Sequence, residues 1–171
     1  GVVLFDKSIR SFVPPKSTSS HLNILLNTLD VKSCGVDTNI EPVLHEMAEK
    51  INKRGLVIII SDLFDNPNNI MNGLKHFRHN KQEVIIFHIL DKNELEFNFN
   101  SRTQFIDMES GENITTDPWH IRDDYQNLII NQQKFYKQEC GLNQIDYIPL
   151  YTHDNLDKGI SEYFNKRQKL S

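Results

Sequence analysis

Two short stretches of the chain place oxygen donors where chemistry could occur. One is Gly35-Val36-Asp37-Thr38-Asn39, just before a helix-like pattern; the other is Ser61-Asp62, directly after the most apolar run. A hydroxyl and a carboxylate suit a hard divalent cation such as Mg²⁺, which takes oxygen ligands and completes its shell with water. Thr38 and Asp62 fit that need in type and in position. Each also has a plain structural reading, Thr38 as a helix N-cap and Asp62 as the cap of a turn.

Other groups point elsewhere. His76 and His79 have a spacing that can chelate, but Lys75, Arg78 and Lys81 surround them, so a solvated basic face is expected. His88 lies inside an apolar strand-like run and reads as a hydrogen-bonded core histidine. Asp91, Glu94 and Glu96 read as loop and capping carboxylates, and Trp119, between Pro118 and His120, as an anchor for the helix that follows. There is no Gly-x-Ser-x-Gly, no Gly-rich phosphate loop and no Cys–His spacing that marks a nucleophile.

Alternating strands and helices must position these groups. Val2 to Phe5 and Ile9 to Val13 read as strands around Asp6-Lys7-Ser8, with Pro14-Pro15 as a stop. Ser19 or Ser20 can cap a helix with Leu22, Leu25, Leu26 and Leu29 on its apolar stripe. Ile40, Val43, Leu44, Met47, Ala48 and Ile51 keep the helical period, with Thr38 and Glu41 at capping-box spacing and Gly55 as the stop. Leu56 to Ser61 is continuously apolar, as expected of a strand buried on both faces of a parallel sheet. A helix with Ile70, Met71, Leu74 and Phe77 follows, then a strand from Val84 to Leu90. Thr103 to Thr116 predicts a hairpin around Glu109-Ser110-Gly111-Glu112. A long helix is expected from about Pro118 to Cys140, with Ile121, Tyr125, Leu128, Ile129, Phe135 and Tyr136 as its stripe and Gly141 as its end. Ile145 to Tyr151 is the last strand, and Asp154 caps a final helix with Leu156, Ile160, Tyr163 and Phe164. The alternation predicts a doubly wound α/β sheet in a single domain over residues 1–171.

Composition narrows the partners. The 171 residues carry a net charge of -4, with basic residues scattered, so no nucleic-acid partner is expected. No apolar run approaches the roughly 20 residues of a membrane span, so no membrane segment is expected in this chain. The two cysteines, Cys34 and Cys140, form no CxxC pattern and read as reduced thiols of a cytoplasmic protein. The chain opens without Met on Val2-Val3-Leu4-Phe5, which suggests a fragment.

Several of these runs together resemble one family. They are Gly1-Val-Val-Leu-Phe-Asp, Val13-Pro-Pro-Lys, Asp37-Thr-Asn, Ile58-Ile-Ile-Ser-Asp-Leu-Phe-Asp, Phe87-His-Ile-Leu-Asp, Glu94-Leu-Glu-Phe, Ile106-Asp-Met-Glu-Ser-Gly-Glu and Asp146-Tyr-Ile-Pro-Leu-Tyr-Thr. In this order they resemble the von Willebrand factor A-like family catalogued as domain of unknown function 58, found beside MoxR ATPases. The stretch from Phe87 to Phe97 and the hairpin after it are the most specific part.

The resemblance implies a Rossmann-like three-layer fold with a mostly parallel sheet, here lacking the family's first strand and its Asp-x-Ser-x-Ser loop. It implies a metal-ion-dependent adhesion-type site holding Mg²⁺ or Mn²⁺ in the full-length protein, with Thr38 as the second-loop ligand and Asp62 as the third. It implies a non-enzymatic adaptor that works with a MoxR-type AAA+ ATPase and its client proteins. The alternative left open is a Mg²⁺-dependent phosphoryl-transfer or hydrolytic enzyme that uses Asp62.

Overall fold

The computed structural model describes residues 1–30, 40–99, 101–106 and 111–168. In chain order the elements are β1 (Val2–Phe5), β2 (Ile9–Val13), α1 (His21–Leu29), α2 (Ile40–Lys50), β3 (Leu56–Ser61), α3 (Pro67–His79) and β4 (Glu83–Leu90). There follow α4 (Lys92–Glu96), β5 (Thr103–Ile106), β6 (Asn113–Thr116), α5 (Arg122–Leu142), β7 (Asp146–Tyr151) and α6 (Leu156–Gln168). The fold is α/β. A three-stranded parallel sheet runs in the order β3-β4-β7, while β1–β2 and β5–β6 form separate antiparallel pairs.

Side chains alternate across the parallel sheet, and its two faces are covered by different helices. Ile59, Val84 and Ile86 pack with the buried stripes of α2 and α3 and with Tyr136 and Cys140 of α5. Ile85, Phe87 and Leu150 face the other way, against Ile160 and Tyr163 of α6. The apolar residues expected on α2 and α3 are in place: Ile40, Val43, Leu44, Met47 and Ala48 on one, Ile70, Met71, Leu74 and Phe77 on the other, are all buried.

The two helices approach closely. A Cβ built on Gly73 would lie 2.6 Å from the Leu44 Cβ, so only glycine fits there without a shift. Local chemistry starts α3 as well. Asn66 is its N-cap, accepting the Asn68 N–H, and Pro67 occupies the first turn, where no N–H is needed.

Several sequence expectations need correction. β3 is an edge strand: Leu56, Ile58 and Ile60 are 46%, 43% and 65% exposed, because α6 covers β4 and β7 and stops short of them. Apolar composition marks a strand as fit for burial; its neighbours decide whether it is buried. On α1 the predicted stripe is mostly in solvent, with Leu25 alone of its four leucines half-buried. Leu22, Leu26 and Leu29 are exposed, and the residue that packs inward is His21. Gly55 does not close α2, which ends at Lys50; the Gly55 carbonyl instead accepts the Glu83 N–H at the start of β4. Gly141 lies within α5, whose cap is Asn143, and Gln144 takes the left-handed turn with φ 55. The long helix opens as a single 3-10 turn, Pro118–His120, before α5 proper, and Leu128 of its stripe is exposed. The final helix starts at Leu156, with the Asn155 carbonyl accepting from Gly159, one residue beyond the predicted cap. The expected hairpin is present as β5–β6; residues 107–110 of its turn lie outside the described residues.

Candidate functional site

Ser61 and Asp62 stand at the carboxyl end of β3, where open α/β sheets place ligands. The chain there turns sharply into α3. Leu63 adopts φ 53, unusual for a branched residue, and turns its side chain into the core while Phe64 projects into solvent, 79% exposed. Hydrogen bonds fix this turn. The Leu63 N–H donates to Ser61 Oγ at 3.0 Å and the Phe64 N–H to Asp62 Oδ1 at 3.3 Å. Asp62 itself is exposed, so its carboxylate faces water at the rim of the sheet.

The same turn organises two helix starts. Asp65 Oδ2 accepts the Ile40 N–H at the beginning of α2, at 2.9 Å, and Asn66 caps α3. Thr38, the predicted cap of α2 and predicted second metal ligand, lies outside the described residues, as do Gly35, Val36, Asp37 and Asn39. Asp65 therefore does part of the work that Thr38 was expected to do. Its signal was present in the sequence as the second carboxylate of Ser61-Asp-Leu-Phe-Asp65, three residues past Asp62.

The donors near Asp62 suit a hard cation in kind. An open carboxylate with a hydroxyl beside it is the sort of partial set that Mg²⁺ completes with water. Ser61 Oγ lies 3.4 Å from Asp62 Oδ1. Among the described residues no three His, Cys, Asp or Glu side chains converge on one point.

Beneath the turn lies His88, fully buried in β4. Its Nε2 is 2.9 Å from the Asp62 carbonyl and its Nδ1 is 2.7 Å from the Tyr147 hydroxyl. A carbonyl can only accept, so Nε2 carries the proton; Nδ1 then accepts from Tyr147 in the neutral ring. Burial, partly offset by the Asp62 carbonyl, lowers the His88 pKa and keeps that ring neutral. The core histidine expected from the sequence is present with both ring nitrogens satisfied.

The remaining candidates separate. His76 does not pair with His79. Its Nδ1 meets Nδ1 of His45, from α2, at 3.0 Å, and His45 in turn lies 3.8 Å from Glu41. Sequence spacing could not find this pair, because its members sit on different helices. Asp91 accepts the Asn93 N–H while Glu94 accepts the Asp91 N–H, a capping box on α4, and Asp91 also accepts from the Thr152 hydroxyl. The capping role is therefore met. The hydrogen bonds that its carboxylate accepts, led by the Asn93 N–H and then the Thr152 hydroxyl, hold the Asp91 carboxyl below its ordinary range. Trp119 is 70% exposed and does not bury its ring as an anchor. The start of α5 is held instead by Arg122, which donates to the carbonyls of Phe97 and Phe99, and by Gln126, which donates to that of Glu96.

A family model described as "Protein of unknown function DUF58" matches residues 1–135, a span that includes the whole Ser61–Asn66 turn and the hairpin. The chain belongs to the DUF58 family. No curated protein and no solved structure matches it. The DUF58 match covers β4 and His88 but ends within α5, ahead of Tyr136, Cys140 and Tyr147, so part of the packing beneath the turn lies beyond it.

Proposed function

We propose that this DUF58 chain is a non-enzymatic interaction module whose contact with a partner is gated by a divalent cation at Asp62. The observation that carries the reading is an exposed carboxylate on a hydrogen-bonded turn at the carboxyl end of a parallel strand, beside the start of α2. A cation held there by one carboxylate and water keeps coordination positions open, and a carboxylate from a partner protein can fill one of them. Thr38 would supply the neighbouring hydroxyl.

The finer assignment is a von Willebrand A-like adhesion site working with a MoxR-type ATPase and its clients. The ATPase and the clients rest on the family resemblance alone. For the von Willebrand A-like fold there is independent support. The edge of β3 is unpaired in the described sheet and one of its faces is uncovered, while β1–β2 is a separate hydrogen-bonded pair whose Val3, Phe5 and Ile9 pack against the same core. That arrangement leaves room for the further parallel strand which such folds place between β1 and β3.

Titration calorimetry of the full-length protein with Mg²⁺ and Mn²⁺, against Asp62→Ala, tests the site. We expect the substitution to abolish the stronger binding event; unchanged affinity overturns the reading. A divalent-dependent phosphatase activity that disappears in Asp62→Asn would replace the adaptor by a phosphoryl-transfer or hydrolytic enzyme.

A further inference from the structure

His88 joins the packed core to the exposed turn. The β3–β4 ladder ends at the pair Ser61 and His88, so the Asp62 carbonyl lies beyond the last paired residue. A part-buried carbonyl left without a partner is costly, and the His88 Nε2–H meets it at 2.9 Å. The ring has little freedom to move. Tyr147, from the strand on the other side, donates to Nδ1, and Tyr136 packs against the ring edge-on with centroids 5.7 Å apart.

An apolar side chain would fill this space at lower desolvation cost, since an imidazole is tolerated in a core only when its polar atoms are paired. What the imidazole adds is a hook on the Asp62 peptide. That peptide sets the direction of the Asp62 carboxylate and feeds the strained Leu63 conformation, with φ 53. The peptide's own N–H, that of Leu63, donates to Ser61 Oγ, and the next N–H, that of Phe64, donates to Asp62 Oδ1.

We propose that His88 is a positioning residue for the Asp62 site: by holding the Asp62 carbonyl, it fixes the turn and thereby the direction in which the Asp62 carboxylate meets a divalent cation. The proposal rests on the reading of Asp62 as a cation-binding carboxylate. Groups that orient a metal ligand from behind typically contribute about 10–100-fold to affinity. An effect of that size is expected here.

The test uses the full-length protein with His88→Leu, His88→Gln and Tyr147→Phe. Three quantities are read: Mn²⁺ affinity per folded molecule, thermal unfolding, and amide hydrogen exchange at Leu63 against exchange in the β4–β7 ladder. We expect His88→Leu to weaken Mn²⁺ binding about tenfold or more. It should speed exchange at Leu63 while the ladder amides change little. His88→Gln, whose amide can donate to the same carbonyl, should restore most of both. Tyr147→Phe removes only the second partner of the ring and should give a smaller loosening in the same direction; it serves as the test if His88→Leu does not fold. The proposal is overturned if stability falls while Mn²⁺ affinity and the Leu63-to-ladder exchange ratio stay unchanged, which is the signature of core packing alone. If Asp62→Ala leaves Mn²⁺ affinity unchanged, the cation reading fails, and the Leu63 exchange ratio then shows separately whether His88 holds the turn.

Discussion

Leu56-Val-Ile-Ile-Ile-Ser in β3 and Glu83-Val-Ile-Ile-Phe-His-Ile-Leu in β4 lie side by side in one parallel ladder, with nearly the same apolar, β-branched composition. From Val84 to His88 every residue of β4 is buried, whereas in β3 only Ile59 is. The cause lies in the neighbours. β4 has a strand on each side, α2, α3 and α5 over one face and α6 over the other. Among the described residues β3 has one strand partner and one covered face. The side chains that point into the well-packed layer, Val57 and Ile59, join the core, and those that point the other way do not. The candidate site sits at the end of the less supported strand, which explains why its turn depends on bonds to α2 and to His88 of β4.

The largest expected consequence is association. An unpaired, flat and apolar strand edge templates pairing with another chain. The exposed leucines of α1, Leu22, Leu26 and Leu29, add further uncovered apolar surface. The chain Gly1–Ser171, purified as such, should self-associate in size-exclusion chromatography, and Ile60→Lys should reduce this by charging the edge. A monomer with a sharp, high thermal transition would break the comparison, because β3 would then need no cover.

Paired truncations sharpen it next. Ile86, fully buried in β4, should lose about 2–5 kcal/mol on replacement by Ala, from lost burial and the cavity left behind. Ile60, at 65% exposure on the uncovered face, should change by no more than about 0.5 kcal/mol in the same chain. Denaturant unfolding of both variants is the measurement. Equal costs would mean that something covers β3 in solution.

A third substitution asks how rigid the covered face is. Ala in place of Gly73 gains about 1 kcal/mol of helix propensity. Its Cβ, however, would meet Leu44 at 2.6 Å. Overpacking of a tight core usually costs about 1–3 kcal/mol, so Gly73→Ala should be destabilising on balance. A stabilised variant would show that α2 and α3 can slide apart more easily than their packing suggests.

Much of this contrast was legible in the residues, but unevenly. Helical periodicity found α2 and α3 with their buried faces, because those faces pack against each other and against their own sheet. Cap chemistry was partly legible. Asp91 with Glu94 caps locally, within a few residues, as the sequence suggested. Asp65 caps a helix whose first residue lies 25 positions away. No sequence window of one turn contains both partners. The exposure of β3 was illegible for a different reason, since it depends on which elements lie beside the strand. Within the site, Asp62 and the core role of His88 were legible as types. The hydrogen bond between them, and the pairing of His45 with His76, arise only when separate elements meet.

The smallest expected effect leaves stability untouched and reads the comparison as motion. Cys140 sits at the well-packed end of α5, buried against Met71 with the two sulfurs 4.0 Å apart. Burial, with Glu139 nearby, pushes its thiol up to about 12. The thiolate is the reactive form, so at pH 8 the native group is both neutral and inaccessible. The sign is clear: raising the pH toward 9 increases the reactivity of an ordinary exposed thiol but barely that of native Cys140. Its labelling by a thiol reagent should therefore follow opening of the covered face, with a rate set by unfolding free energy. Cys140 is a free thiol, and Cys34 lies outside the described residues. Titration under denaturing, non-reducing conditions should find two thiols per chain, matching the two cysteines of the sequence. Under native conditions Cys140 should label slowly, and labelling should accelerate in Ile86→Ala but not in Ile60→Ala. Fast native labelling of Cys140 that is indifferent to Ile86→Ala would place mobility in the layer of α2, α3 and α5. The uncovered face of β3 would then no longer be the weaker side of the sheet.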